Sequence, residues 1–317
     1  MQFRNSLILL FTLLLAACGG GGSTTDPDTG GGTDPRSNLA DAEAARSAGV
    51  YRYMQGMGSL MLANLNEVDI GERRAGSVNC SGGGSAVYTD TTPAPGADPS
   101  ASIQFVDCVE AIGRVTGTMA VRQFQLRLNT EGFGTFNVSW SADVVIEGYA
   151  MRYENSSGLT TLSPGGAVAI ETFGGNDLAL VLTAPNGQSV QFSDARINVA
   201  FDPATGSANF GGSNVRSRAL SDGSLGVMLL PSDLRAPVAA GVAVRSIGAP
   251  VSGSFRYARS FGPTATDVIG TGVTNAGLLT LTIDPIGGQI NFPGSAGQYA
   301  WTSILAAPDL TLPNTAP

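Results

Sequence analysis

The chain has 317 residues, sets 17 basic against 25 acidic side chains for a formal net charge of −8, and holds neither lysine nor histidine. An acidic chain lacks the cationic surface that grips phosphate backbones, so nucleic acid is not an expected partner. Without lysine or histidine there is no Ser-His-Asp or Cys-His centre, no Schiff-base or P-loop lysine and no histidine-ligated metal, and no cofactor is expected.

Arg4 precedes an apolar run from Ser6 to Leu15. The run is too short to span a bilayer, which takes about 20 residues, but has the length of a signal-peptide core. It ends in Leu15-Ala16-Ala17-Cys18, which resembles the lipobox of bacterial lipoproteins. That resemblance implies removal of residues 1–17 and acylation of Cys18. Gly19 follows in place of the aspartate that retains enterobacterial lipoproteins in the inner membrane. An outer-membrane lipoprotein, on the periplasmic face or at the cell surface, is therefore expected. Two or more acyl chains anchor a protein durably where one does not. Residues 18–37 contain no large apolar side chain and read as a flexible tether. Within it, Asp26-Pro27-Asp28-Thr29-Gly30 faintly echoes a calcium loop. Ser37 stands where the bidentate glutamate belongs, so no metal is expected there.

The body, 38–317, is expected to be one antiparallel β domain with an N-terminal helix, a sandwich or a soluble barrel, with two sub-sheets at 38–165 and 166–317 as the alternative. Glycine numbers 43 and only 13 % of residues are charged, which suits many strands joined by tight turns. The helix starts after an N-cap at Ser37 or Asn38, with Asp41 and Glu43 near the first turn. Its stripe is Val50, Met54, Met57, Met61, Leu65 and Val68, a face expected to lie against a sheet. Gly49, Gly56 and Gly58 weaken it as an isolated helix.

If Cys18 is acylated, Cys80 and Cys108 remain as an even pair in an oxidising compartment, and a disulfide between them is expected. Next come two alternating runs, Phe124-Leu126-Leu128 and Phe136 to Ile146. Their alternation predicts a hairpin across 129–135 that sets Leu128 opposite Phe136 and Phe124 opposite Trp140. Leu178–Thr183 and Ser189–Phe192 flank Pro185-Asn186-Gly187, a strong hairpin signal. Residues 197–213 and 279–295 repeat one another, sharing Asp202/Asp284, Pro203/Pro285 and Gly206/Gly288. In each, Asp accepts a turn hydrogen bond, Pro presets φ and Gly takes positive φ, so both copies read as hairpin turns and not as binding loops.

Cys80-Ser-Gly-Gly-Gly84, Phe105-Val-Asp-Cys108, Gly113 and Gly117 form a pattern that resembles a group of uncharacterised proteobacterial lipoproteins. They place an Ala-rich helix before strands. The resemblance covers roughly residues 40–125 and implies architecture. Gly253-Ser-Phe-Arg-Tyr257 and Leu279–Phe292 resemble hairpins of transferrin-binding-protein-like β-barrel surface lipoproteins. Pro203 and Pro285 replace the aromatic of that family's turn, and no binding residue carries over.

Three functions are open on these residues. The leading one is a lipid-anchored, non-catalytic envelope protein with a binding or structural role toward an unknown protein or glycan. Arg216 and Arg218 share a side if their segment is a strand and would suit an anionic group, though a solvated face explains them as well. The second is a glycan-active enzyme using two carboxylates; Asp143 and Glu147, four apart in one strand, would stand about 13 Å apart, beyond either hydrolytic geometry. The third is a membrane-inserted β-barrel, which the low aromatic content of 7 % and the ending PDLTLPNTAP disfavour.

Overall fold

A computed structural model describes residues 39–62, 76–94, 100–123, 134–162, 168–173, 180–217, 227–259, 267–286 and 295–308. The lipobox, the tether, the calcium-loop echo and the run from Phe124 to Leu128 lie outside them. The chain is mainly β and antiparallel. It opens with helix α1, Leu39–Met61. Strands β1 (Gly76–Asn79), β2 (Ser85–Asp90), β3 (Ser100–Glu110), β4 (Gly113–Gln123), β5 (Gly134–Ile146) and β6 (Tyr149–Leu162) follow as consecutive hairpins.

Beyond β6 the meander continues in broken strands. β7 (Val168–Phe173) pairs with one half of β6, and β8 (Leu180–Thr183) with the other. β9 (Ser189–Arg196) and β10 (Asn198–Asp202) lie against β8 and β7. β11 (Ser207–Asn209) and β12 (Asn214–Ser217) come next, then β13 (Val227–Pro231) and β14 (Arg235–Ala239). β13 and β14 both hand over to β16 (Ser252–Arg259), which is followed by β17 (Asp267–Asn275), β18 (Leu278–Ile286) and β19 (Ser295–Ala300). β15 (Ser246–Ile247) pairs with the far end of β14 as a second, two-stranded sheet. Strands before and after residues 163–167 belong to one large sheet, since β6 pairs with both β7 and β8. Among the described residues no pairing joins β1 to β19, so the sheet is open and not a closed barrel.

α1 differs from the amphipathic helix expected. Val50, Met54, Met57 and Met61 are buried, but so is every residue from Arg46 to Leu62. The helix touches β5 and β6, β12 and β13, and β15, β18 and β19, so the sheet folds over it and leaves no wet face. A helix so enclosed is normally apolar all round; this one also buries Glu43, Arg46, Arg52, Gln55 and Ser59. Each is satisfied. Glu43 accepts from Arg46 Nη1 at 2.6 Å and from the Tyr257 hydroxyl, Gln55 Nε2 donates to Ile247 O at 2.7 Å, and Ser59 Oγ accepts from Ile247 N at 3.0 Å. Two of the glycines that weaken the isolated helix let it pack here. A Cβ on Gly56 would stand 2.6 Å from the Tyr153 hydroxyl, and one on Gly58 2.9 Å from Ile247 Cδ1.

A second helix, α2 (Trp301–Ala306), follows β19 and was not expected from the sequence. Its Trp301 is fully buried, 5.2 Å from Tyr51 and 6.0 Å from Phe255 by ring centroids, with its indole N–H on Thr274 Oγ1 at 2.9 Å. Burial with a satisfied N–H is the arrangement a core tryptophan requires.

The β4–β5 hairpin forms in a different register from the one expected: Phe136 stands opposite Gln123 and Trp140 opposite Met119. The apolar alternation of the first strand starts earlier, at Val115, which pairs with Val144, and Val115 and Met119 are buried. This longer ladder, not the run beginning at Phe124, fixes the register. Leu180 pairs with Phe192 and Thr183 with Ser189 across the Asn186-Gly187 turn, where Gly187 has φ +84°. Asp202–Gly206 turns between β10 and β11, with Asp202 Oδ1 accepting from Ala204 N at 2.9 Å and Gly206 at φ +60°. The second copy differs. Asp284 and Pro285 lie in β18, opposite Ile269 and Val268, and Gly288 is outside the described residues. Among the described residues the pairing of β18 with β19 ends at Ile283–Ser295.

Candidate ligand pocket

A pocket of ≈ 460 Å³ opens beside the middle of α1, between the β3–β4 and β5–β6 turns, the β14–β15 sheet and α2. That volume falls in the range of about 300–1,000 Å³ typical of small-molecule sites. Its walls are mainly apolar: Ile112 and Ile146 beside the two turns, Val238 and Ile247 from the small sheet, and Leu305 from α2. The polar residues among its walls are Arg52, Gln55, Glu147, Ser246 and Thr302.

Arg52 is the central one, a side chain only 4 % exposed. α1 aims it at α2, whose Leu305 carbonyl accepts from Nε at 3.2 Å and from Nη2 at 2.8 Å. Nη1 donates to Gln55 Oε1, one turn along the helix, at 3.0 Å. Nη2 also donates to Glu147 Oε2. Burial of the ion pair is one-sided, since the Glu147 side chain is 64 % exposed. Glu147 holds the β5–β6 turn at φ +50° beside Gly148 at φ +84°, so β5 ends at Ile146 and Glu147 is not the strand residue the carboxylate-pair reading assumed. Asp143 remains on β5 and bonds Arg152 across the hairpin at 3.1 Å. Ser246, in β15, is 5 % exposed and its hydroxyl has no hydrogen-bond partner among the described residues. A buried hydroxyl left unmatched is costly, on the order of 1–3 kcal/mol.

The cystine is a separate feature. Cys80 and Cys108 are bonded, with Cα atoms 5.4 Å apart. They pin the β1–β2 turn to the bulge in β3, where the register slips between Phe105 and Cys108. Glu110 lies alongside, buried, accepting from Ala243 N at 2.9 Å and from the Ser81 hydroxyl. The two sulfurs and a Glu110 oxygen lie within 4.8 Å of one another, but the sulfurs are spent on each other and offer no thiolate to a cation. Glu110 acts as a latch holding the 241–243 segment against the Cys-Ser-Gly-Gly-Gly loop. Arg216 is in β12 opposite Met228; its side chain and the whole of Arg218 are outside the described residues, as is Cys18.

The sequence reading missed Arg52 and Ser246. The signal for Arg52 was present: a cation three residues before Gln55 inside an Ala- and Met-rich helix. Ser246 carried none, because only the fold brings β15 to the pocket wall. No family model, curated protein or solved structure matches the chain.

Proposed function

We propose that the chain is a lipid-anchored, non-catalytic binding protein of the bacterial envelope, tethered at Cys18 to the outer membrane, that holds a small ligand between α1 and α2. The observation that carries the binding role is the ≈ 460 Å³ pocket, apolar over most of its wall yet lined by a buried guanidinium and its partners Gln55 and Glu147. Convergence of a few polar groups in an apolar cleft is the pattern of small-molecule sites. Two-carboxylate glycan chemistry is less well served, because Glu147 is the sole acid among the described lining residues and that chemistry takes a pair. The anchor rests on the Leu15-Ala16-Ala17-Cys18 sequence.

Two measurements test the reading. Intact-mass analysis of the membrane fraction is expected to show a chain beginning at Cys18 with a diacylglyceryl thioether; an uncleaved chain with a free thiol there would defeat the anchor. Native mass spectrometry of the purified protein is expected to show a bound small molecule that Ala249→Trp, at the pocket wall, excludes. A mass that stays the same with and without the blocking tryptophan would defeat the binding role.

A further inference from the structure

We infer that the pocket takes a monocarboxylate with an apolar tail, whose head displaces Glu147 from Arg52; this rests on the binding role proposed above and specifies its ligand. Arg52 is the pocket's one cation among the described lining residues. Its N–H donors are engaged by Leu305 O, Gln55 and Glu147, save one on Nη1. These partners are unequal. Leu305 O and Gln55 are interior and fixed by α2 and α1, whereas the Glu147 side chain is 64 % exposed and hangs from a turn at φ +50°. Glu147 is therefore the exchangeable ligand of the guanidinium. Exchanging it for another carboxylate keeps a buried cation paired throughout, whereas a neutral head would strand the charge, a large penalty at a buried site.

Charge sets the number of negative groups. A single guanidinium compensates one carboxylate, and the chain's net charge of −8 opposes polyanions. Gln55, which shares the guanidinium and lines the same wall, fixes the side of Arg52 on which the head sits. Ile112, Ile146, Val238 and Ile247 line the remaining space, and their burial of an alkyl tail supplies affinity without direction. Glu147, displaced to the turn's outer side, regains full hydration at little cost because it is already mostly in water.

Calorimetric titration of the full chain carrying Cys18→Ser, free of competing detergent, distinguishes the possibilities. Octanoate is expected to bind about tenfold or more tighter than octanol, the scale of one charge-assisted contact. Glu147→Gln is expected to strengthen octanoate severalfold and leave octanol unchanged, because it removes the competitor. Arg52→Gln is expected to erase the preference for the acid. Since Arg52 also holds α2, Glu147→Gln is the variant that leaves its bonds to Leu305 O and Gln55 intact and keeps the assignment testable if Arg52→Gln does not fold. Equal binding of acid and alcohol, or no change with Glu147→Gln, would overturn the carboxylate assignment while leaving a pocket that Ala249→Trp still closes. Binding of neither probe, or binding indifferent to Ala249→Trp, would overturn the pocket itself along with its ligand.

Discussion

Tyr53 and Tyr153 lie against one another under α1, and their hydroxyls have opposite fates. The Tyr153 hydroxyl donates to the Tyr53 backbone carbonyl at 3.0 Å, while the Tyr53 hydroxyl is buried without a partner. The Tyr53 ring is held by stacking on Phe192, with centroids 4.1 Å apart, which needs no hydroxyl. Tyr53→Phe is therefore expected to be neutral or stabilising, and Tyr153→Phe to cost about 1 kcal/mol, since it removes a made bond. Urea denaturation of the two variants checks this, and equal losses would show that the Tyr53 hydroxyl has a partner after all. One turn further along α1, Gly56 faces Tyr153 and Met151 across a gap with no room for a methyl group. Gly56→Ala gains helix propensity, about 1 kcal/mol, but overpacking of an enclosed helix costs about 1–3 kcal/mol. Net destabilisation is expected in the same measurement; a more stable variant would mean that the helix lies less tightly than described.

Among the elements, the Cys80–Cys108 staple closes a loop with a sequence separation of 28, for which the chain-entropy estimate gives about 3.5 kcal/mol. It fastens the start of the meander: β1 has four residues and pairs only with β2 among the described residues. Within the stapled loop, Gly84 sits at φ +69° with its missing Cβ 1.9 Å from the Asp107 carbonyl. Gly84 is thus a steric requirement of the bulge it lies on. Adding a reductant is expected to lower the urea midpoint by the equivalent of about 3–4 kcal/mol, and a midpoint blind to reductant would show that the staple carries no stability. Elements governed by local chemistry were legible in the sequence, such as the Asn186-Gly187 hairpin, the Asp202–Gly206 turn and the helix around its methionines. What escaped depended on distant partners. The β4–β5 register followed a ladder beginning at Val115, the second Asp-Pro copy was absorbed into β18, and α2 is a six-residue helix that the burial of Trp301 holds in place. Arg52 became a site residue only because Glu147 and Leu305 arrive from a turn and a helix remote in sequence.

At the scale of the molecule, a sheet folded over a helix places phenols deep in the interior of a chain that contains no lysine. Burial pushes the Tyr51, Tyr53 and Tyr153 hydroxyls well above the ordinary value of 10.0, and the field of Arg52 offsets this only in part at Tyr51. Tyr299 is also raised, by burial and then by its hydrogen bond to Asp41. The sign follows from which state holds the proton. Below pH 10 these phenols are protonated in both the folded and unfolded chain, so their raised values leave stability unchanged. Above it the unfolded chain releases the protons and the folded chain keeps them, so stability falls as pH rises. Three fully buried tyrosines give a slope of about 4 kcal/mol per pH unit. A domain of ordinary stability, about 5–15 kcal/mol, would be unfolded within a few units above pH 10. With no lysine to titrate in the same window, the buried phenols dominate the alkaline transition. All seven tyrosines are buried or half-buried, so near-ultraviolet absorbance of the phenolates, followed together with circular dichroism, is expected to rise abruptly and together with loss of structure. If all seven tyrosines ionised smoothly near their ordinary value while the dichroism held, the sheet would not enclose the helix as described.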